Sequence, residues 1–332
     1  MRRTNLAVFI PHMGCPHRCS FCDQRVIGGR ETPPSPSEVV ALLTEQQPIL
    51  ARSGTTAQIA FFGGSFTAVE RGYMTALLET AAAFIRRYPA QYDGIRCSTR
   101  PDAVDGEIAA ILKAYGVTAV ELGAQSMSDE VLSANRRGHT AAQTLAAARL
   151  LKESGFELGL QMMTGLYRDT PERCIATARA FIAMSADTVR IYPTVVLRGT
   201  ELGSLYERGL FKSFGFDETI ELCAELLTIF GRSGVPVIRL GLHASPDVER
   251  DRIGGVYHPA LRELVESRAC YKKIKEETDR LGGRRFTIYA DRRMFSRIVG
   301  QKRENRERLA REGLTFRLKE EDGTPLRVEA AE

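Results

Sequence analysis

Along most of the chain, short β-branched apolar runs alternate with longer stretches whose apolar positions recur at helical period. The short runs fall at 6–10, 57–62, 95–98, 119–123, 158–163 and 188–196, and each is of strand length. Helical periodicity fills 71–87, 105–115, 141–154, 171–184 and 217–233. In "PSPSEVVALLTEQQPIL" the start of a further helix is explicit: Ser35 is placed to cap, Pro36 suits the first helical position, and Glu38 completes a capping box. Several of these segments stop at glycine, as at Gly116, Gly155 and Gly234. Six strand–helix units in succession imply parallel strands with right-handed crossovers, in an open doubly wound sheet or in a full or partial barrel.

The polar clusters choose between these. Each apolar run is followed, not preceded, by a polar or glycine-rich stretch: "MGCPHRCSFCDQ" after the first, then "GGSFT", "STRPD", "GAQS", "TGLYRDT" and "YPTVVLRGT". One shared rim at the carboxyl ends of the strands accounts for all six, whereas an open sheet would gather them at a single switch point. The expectation is an α/β partial (β/α)6 barrel over 1–245, a helical connection over 246–283 and a small, basic α+β extension over 284–332.

Composition narrows the class. The 332 residues are 43% hydrophobic and 26% charged, without tryptophan, and no apolar run approaches the ~20 residues of a membrane span. The N-terminus has two arginines but only a short apolar stretch ending at Pro11, unlike a secretory signal, so a cytoplasmic protein is expected. Seven cysteines, an odd number spread over a long chain, argue against a disulfide framework and for thiols that ligate something or lie buried. A net charge of +5 is too modest at this length to imply a nucleic-acid partner by itself.

Cys15, Cys19 and Cys22 lie together in the loop after the first run. Structural zinc wants four protein ligands; the chain has no second cysteine knuckle, although His12 or His17 could supply a fourth. A disulfide would leave an odd thiol and suits a reducing cytosol poorly. A four-iron four-sulfur cluster held by only three thiolates keeps one iron open to another ligand.

The spacing C-x3-C-x2-C, with Phe21 before the last cysteine, resembles the signature of the radical S-adenosylmethionine (SAM) superfamily. "GGSFT", "STRPD", "GAQSM", "NRRGHT", "MMTGL" and "YPTVVLRGTELGSLYERG" resemble the radical SAM half of the elongator catalytic subunits, which modify the wobble uridine of transfer RNA. More distantly the chain is similar to oxygen-independent coproporphyrinogen oxidases. The resemblance covers about residues 5–270 and implies a TIM-like partial barrel. It implies that Cys15, Cys19 and Cys22 ligate three irons while the fourth iron chelates SAM, whose reductive cleavage gives a 5'-deoxyadenosyl radical. Gly63, Gly64 and Ser65 would then approach the SAM amino group, through a carbonyl or hydroxyl where relatives often have a carboxylate. Ser98 and Arg100 would address the ribose, Gln125 and Ser126 would end the fourth strand at the ligand, and Arg137 would pair with the SAM carboxylate. Thr164 and Gly165 match the fifth-strand motif, Tyr192 and Val195 the adenine-lining sixth strand. A flavodoxin or ferredoxin would supply the electron and an RNA would be the substrate. Radical oxidation of a small molecule such as a porphyrinogen, or a zinc-stabilised RNA-binding protein without catalysis, are the alternatives.

The other thiols, Cys97, Cys174, Cys223 and Cys270, read as small buried hydrophobes, and His139 as ordering its loop. In the basic tail, "IVGQKREN" resembles the GXXG loop of a KH module, with Arg303 in place of the second glycine; the competing expectation is a solvated basic helix. No acetyltransferase pattern follows the barrel, so acetyl transfer by this chain alone is not expected.

Overall fold

The computed structural model describes residues 2–11, 13–15, 18–23, 26, 32–243, 245–323 and 326–331. The expected roles of His12 and His17 as a fourth ligand lie outside the described residues.

Strand β1 (Arg2–Ile10) leads through the cysteine loop to α1 (Pro36–Ser53), β2 (Thr55–Gly63), α2 (Arg71–Arg87), β3 (Tyr92–Thr99), α3 (Gly106–Ala114) and β4 (Val117–Gln125). Two helices follow, α4 (Asp129–Ala134) and α5 (Ala141–Glu153), then β5 (Glu157–Thr164), α6 (Pro171–Ala183) and β6 (Thr188–Pro193). The chain continues as β7 (Val195–Leu197), α7 (Glu201–Glu207), α8 (Phe216–Arg232), β8 (Val237–Leu240), α9 (Pro246–Asp251), β9 (Arg252–Gly255) and α10 (Leu261–Leu281). Seven strands, β1 to β6 and then β8, pair in parallel in sequence order and curl into a half-barrel. The capping box of α1 forms as the sequence implies: Ser35 accepts from the Glu38 N–H, and the Glu38 carboxylate accepts from the Ser35 N–H.

Side chains alternate across the sheet. One set, including Val8, Ile10, Ile59, Phe61, Ile95, Val120, Leu122, Leu158, Leu160, Val189 and Ile191, is at most 3% exposed and packs under the helices with Leu43, Met74, Leu77, Leu112, Phe181 and Phe230. Each such side chain contributes about 1.5–3 kcal/mol when fully buried. The other set lines the concave face and is polar: Gln58, Arg96, Ser98, Glu121, Gln161, Arg190 and Tyr192. Arg96 donates to Gln58 (3.0 Å) and Glu121 (3.1 Å) and pairs with Glu157, while Arg190 meets the other Glu121 oxygen at 2.6 Å. Buried charges are tolerated there because each has a partner.

Two departures from the expected pattern have physical causes. The sixth run breaks at Thr194, whose N–H and hydroxyl both donate to the Thr164 carbonyl (3.0 and 2.8 Å); the chain then leaves the sheet, and β7 pairs antiparallel with β9. The seventh parallel strand, β8, is only four residues long and its apolar alternation is interrupted by Arg239, too little pattern to be read from sequence.

Beyond α10 come β10 (Arg285–Ala290), α11 (Phe295–Val299), α12 (Glu304–Arg311), β11 (Thr315–Glu320) and β12 (Arg327–Ala330). They form a second sheet in the order β11-β10-β12, with β10 parallel to β11 and antiparallel to β12. Its apolar core holds Phe286, Ile288, Ile298, Leu309 and Val328 with Ile274 of α10. Helix α10 is shared, since Leu261 and Val265 pack into the barrel core. Among the described residues no helix is long and apolar enough to cross a membrane.

Candidate active site

All seven barrel strands point the same way, so the loops after them share one mouth. Register brings the glycine pair to the cysteine loop: Ile10 lies opposite Gly63, the Gly64 N–H donates to the Ile10 carbonyl (2.7 Å), and the Ser65 N–H to the Met13 carbonyl (2.9 Å). A Cβ on Gly64 would stand 2.1 Å from the Met13 oxygen, and Gly63 has φ +117 with the Ile10 oxygen 2.5 Å from any Cβ. Both positions therefore demand glycine so that the second strand can seat the first loop.

Cys15, Cys19 and Cys22 are half-buried in that loop. Arg137, 6% exposed, donates from Nη1 to Cys19 Sγ (3.0 Å) and from Nη2 to the Gly123 carbonyl. Arg100, 4% exposed, is held by a two-pronged pair with Asp102 (2.9 Å each) and also donates to the Arg137 carbonyl. Burial would raise the Asp102 carboxyl, but the hydrogen bonds and charge of Arg100 hold it below the ordinary carboxylate range. Burial, and then Cys19, push the Cys15 thiol up, and burial with both neighbouring thiols pushes Cys22 up to about 12. Arg100 and Arg137 oppose the rise at Cys15, and Arg137 does so at Cys22. Cys15 and Cys22 thus keep their protons until cationic ligands replace them.

The remaining predicted residues distribute unevenly. Ser65 is 1% exposed, and its hydroxyl is engaged by the protein, hydrogen-bonded to Thr99 Oγ1 (2.9 Å) and accepting from the Arg100 N–H (3.1 Å). Ser98 is half-buried on the concave face, opposite Glu121 in register. Gln125 ends β4 with φ +67, a conformation non-glycine residues seldom adopt, and Ser126 accepts from the Ser128 N–H (3.1 Å). Thr164 is buried, and the Gly165 N–H donates to Asp169 (3.0 Å). Phe21 packs with Val196, Leu202 and Phe211. Tyr192 hydrogen-bonds to Arg190, and Val195 is buried with Leu197 and Val248. The groups that act on the thiols, Ser65, Arg100 and Arg137, come from the segments after β2, β3 and α4; Tyr192 and Val195 belong to these other neighbourhoods.

Several residues at the site were not singled out from the sequence. Asn135, fully buried, ties three loops: its Oδ1 accepts from Ser20 Oγ (2.9 Å), its carbonyl accepts from the Ser20 N–H (3.1 Å), and its Nδ2 donates to the Tyr167 carbonyl (2.9 Å). The Leu202 N–H at the start of α7 donates to the Ser20 carbonyl (2.7 Å), so the "GTELG" stretch also grips the cysteine loop. Asp169 accepts from Gly165, from Thr170 (2.9 Å) and from the Cys174 thiol (3.1 Å), and its burial pushes the carboxyl up. Asn135 lies in the quoted "NRRGHT", and Asp169 in "TGLYRDT"; the motifs were visible, these members' partners were not. His139 is buried and donates from Nε2 to the Ala124 carbonyl (3.2 Å).

The matching family models are the Radical SAM superfamily, over residues 9–181, and the Radical_SAM C-terminal domain, over 186–270. The chain belongs to the radical SAM superfamily. Relatives of this radical SAM enzyme include Elongator complex protein 3 of Homo sapiens, 29% identical over 243 residues, 68% of this chain and 44% of that protein. The tRNA uridine(34) acetyltransferase of Methanocaldococcus infernus is 39% identical over 131 residues, 37% of this chain and 24% of that one. This radical SAM chain therefore spans less than half the length of these curated relatives. The solved archaeal Methanocaldococcus infernus Elp3 lacking its first 46 residues shares the fold, with a TM-score of 0.62 at 22% identity over 83% of this chain and 63% of that one.

Superfamily membership implies a four-iron four-sulfur cluster and SAM, and the site fits them. Among the described residues, no three His, Cys, Asp or Glu side chains converge on one metal ion; three thiols spread along a loop suit a cluster, whose irons are separate attachment points. Beside them, Arg100 Nη1, Arg137 Nε and Gln125 Oε1 are buried without a hydrogen-bond partner among the described residues. Unsatisfied buried donors and acceptors are costly, and their gathering at one mouth fits a polar, carboxylate-bearing ligand.

Proposed function

We propose that this chain is a cytoplasmic radical SAM enzyme that modifies RNA, with transfer RNA as the substrate class. When bound, a reduced cluster supplies one-electron cleavage of SAM to methionine and a 5'-deoxyadenosyl radical. The carrying observation is the convergence of Arg137 and Arg100, each with a buried donor nitrogen still free, on the loop of Cys15, Cys19 and Cys22.

In this reading the three thiolates hold the cluster. Arg137 neutralises charge at Cys19 and offers Nε to the SAM carboxylate. Arg100, fixed by Asp102, presents Nη1 to the same ligand, and the Gln125 carbonyl oxygen accepts a hydrogen bond from it. Ser65 supports from behind, since its hydroxyl is spent on Thr99 and Arg100; its part in ligand contact falls to its backbone. Ser98, Tyr192 and Arg190 line the concave face on which a substrate group would sit. Thr164 and Gly165 shape the adjoining rim where β5 ends beside β6, and Val195 lies past the sixth strand among Leu197 and Val248. A flavodoxin- or ferredoxin-type protein is the assigned electron donor. Support for RNA comes from the archaeal relative, a tRNA uridine(34) acetyltransferase.

The test is anaerobic reconstitution with iron and sulfide, reduction by dithionite, and quantitation of methionine and 5'-deoxyadenosine. The wild type is expected to take up iron and cleave SAM; Cys19→Ala should lose the cluster, and Arg137→Met should keep it but cleave roughly tenfold to a hundredfold more slowly, the worth of a charged hydrogen bond. A fully loaded wild type that cleaves no SAM, with or without RNA, overturns the enzyme reading. Label from deuterated RNA appearing in deoxyadenosine supports the substrate class; label from deuterated small metabolites alone overturns it.

A further inference from the structure

The segment beyond residue 270 lies outside both family matches. From Arg284 to Lys319 it carries twelve Lys or Arg against four Asp or Glu. We infer that the open edge of β11, with the loop between α11 and α12, is a docking surface for single-stranded RNA, held through its phosphates.

The loop, Gly300-Gln301-Lys302-Arg303, is conformationally unusual. Lys302 (φ 50, ψ 27) and Arg303 (φ 68, ψ 19) are consecutive non-glycine residues in the left-handed region. Such a conformation is costly for a residue with a Cβ, so the turn that a second glycine would make freely is made here by an arginine. Strain of this kind persists where the surroundings over-determine it. The clamp is visible: buried Asn305 donates from Nδ2 to the carbonyls of Ser267 (2.9 Å) and Arg297 (3.1 Å), fixing the loop to α10 and α11. What the strained loop presents is charge. Lys302 and Arg303 are exposed and neither forms an ion pair with the described residues.

Neighbouring cations extend the patch along β11. Arg306, one turn into α12 and likewise without an ion pair, lies over the Phe316 ring at 5.6 Å, which places it beside the strand on its helical side. On the other side of the same strand, Arg317 and Lys319 are exposed and in register with Thr287 and Tyr289. Lys319 stands over the Tyr289 ring at 5.6 Å. Because β11 is the sheet's edge, its outward backbone groups have no strand partner among the described residues and can bond a nucleotide chain laid along it. The surrounding acids are largely spent: Glu304 on Arg308, and Glu312 on Lys275 and Tyr271. A patch of unopposed cations on two sides of an open strand complements a polyphosphate backbone, and a rigid inter-helix turn suits clamping it.

This inference deepens the reading of RNA as substrate, and the experiment separates the two. Full-length holoprotein is filter-bound to an unmodified transfer RNA transcript and to oligouridine across a salt series, as wild type, as the triple variant Lys302→Glu, Arg303→Glu, Arg306→Glu, and as Arg303→Gly. The wild type is expected to retain both RNAs with steep salt dependence. The triple variant should lose at least about tenfold in affinity, and its log–log salt slope on oligouridine should fall by about 2, at roughly 0.7 per phosphate contact. Arg303→Gly guards against simple misfolding: it removes a left-handed side chain, so Tm should rise by about 2 °C while RNA retention weakens. Dithionite-driven SAM cleavage without RNA should be unchanged in both. Equal retention by wild type and triple variant, no retention by the wild type, or competition by polyglutamate as strong as by RNA would overturn the surface. Loss of retention in the triple variant supports it even if no deuterium passes from RNA to deoxyadenosine, a result that would fail only the substrate reading.

Discussion

His139 shows how a single side chain at the mouth couples to pH. Its Nε2 must donate to the Ala124 carbonyl, its Nδ1 is buried without a partner, and it shares its surroundings with Arg137, Arg100 and Asp102. Burial first, and then the Arg137 charge, lower its pKa from 6.5 to about 4, despite the opposing pull of Asp102. Between those values the unfolded chain binds a proton that the folded chain refuses, so the contribution to stability is whole above pH 6.5 and is lost as pH falls towards 4. At pH 5 the loss is on the order of 2 kcal/mol, at 1.36 kcal/mol per pH unit. Urea unfolding at pH 7.5 and 5 checks it: the wild type should lose about that much more than His139→Gln, and equal losses would refute the assignment. At this scale the sequence exposed residues whose type announces chemistry, the three cysteines and Arg137. It hid Asn135, because an amide that joins loops 32 and 115 positions apart carries no local signature; Asp169 bonds to Gly165, Thr170 and Cys174 within five positions, but a carboxylate in a turn is too common for its type alone to announce that role.

Elements explain why those residues stay in place. The cysteine loop is gripped from three sides: by the Gly63-Gly64 end of β2, by Asn135 at the end of α4, and by the first turn of α7 through Leu202. Helix α7 in turn is seated by Thr200, which accepts from the Gly203 N–H (3.0 Å), and by the close approach of Gly203 to the Leu197 carbonyl, 2.4 Å from where a Cβ would be. Gly203→Ala is therefore expected to push α7 off β7, at about 1–3 kcal/mol for overpacking, and to loosen Leu202 from Ser20. Its iron content after reconstitution should match the wild type anaerobically but decline faster under air; a decline at the wild-type rate would mean that α7 does not guard the loop. The six strands, the long helices and the caps were legible because alternation, helical period and capping residues are local. The break at Thr194 was not, since apolar residues continue across it and only a hydrogen bond to Thr164, thirty positions away, turns the chain.

For the whole molecule the joint is α10. Its N-terminal half belongs to the barrel through Leu261 and Val265, and Arg268 reaches Glu221 on α8. Its C-terminal half belongs to the second sheet through Ile274, with Cys270, Tyr271 and Leu281 packed beside it. The two apolar clusters share no residue, so the barrel's core does not depend on the sheet. A chain ended at Gly283 should accordingly fold, take up iron and cleave SAM at close to the full-length rate. It should also differ in one respect: removal of β10, β12, α11 and α12 uncovers Ile274 and its neighbours on a single helix face, and such a patch drives association. Size-exclusion chromatography is expected to find the truncated form self-associated. Changing Ile274 and Tyr271 to Glu in the truncated chain should restore the size distribution of the full-length protein without altering cleavage. If truncation instead abolished iron uptake, the second sheet would be a structural part of the barrel rather than an appended unit, and the independence of the two clusters would be wrong.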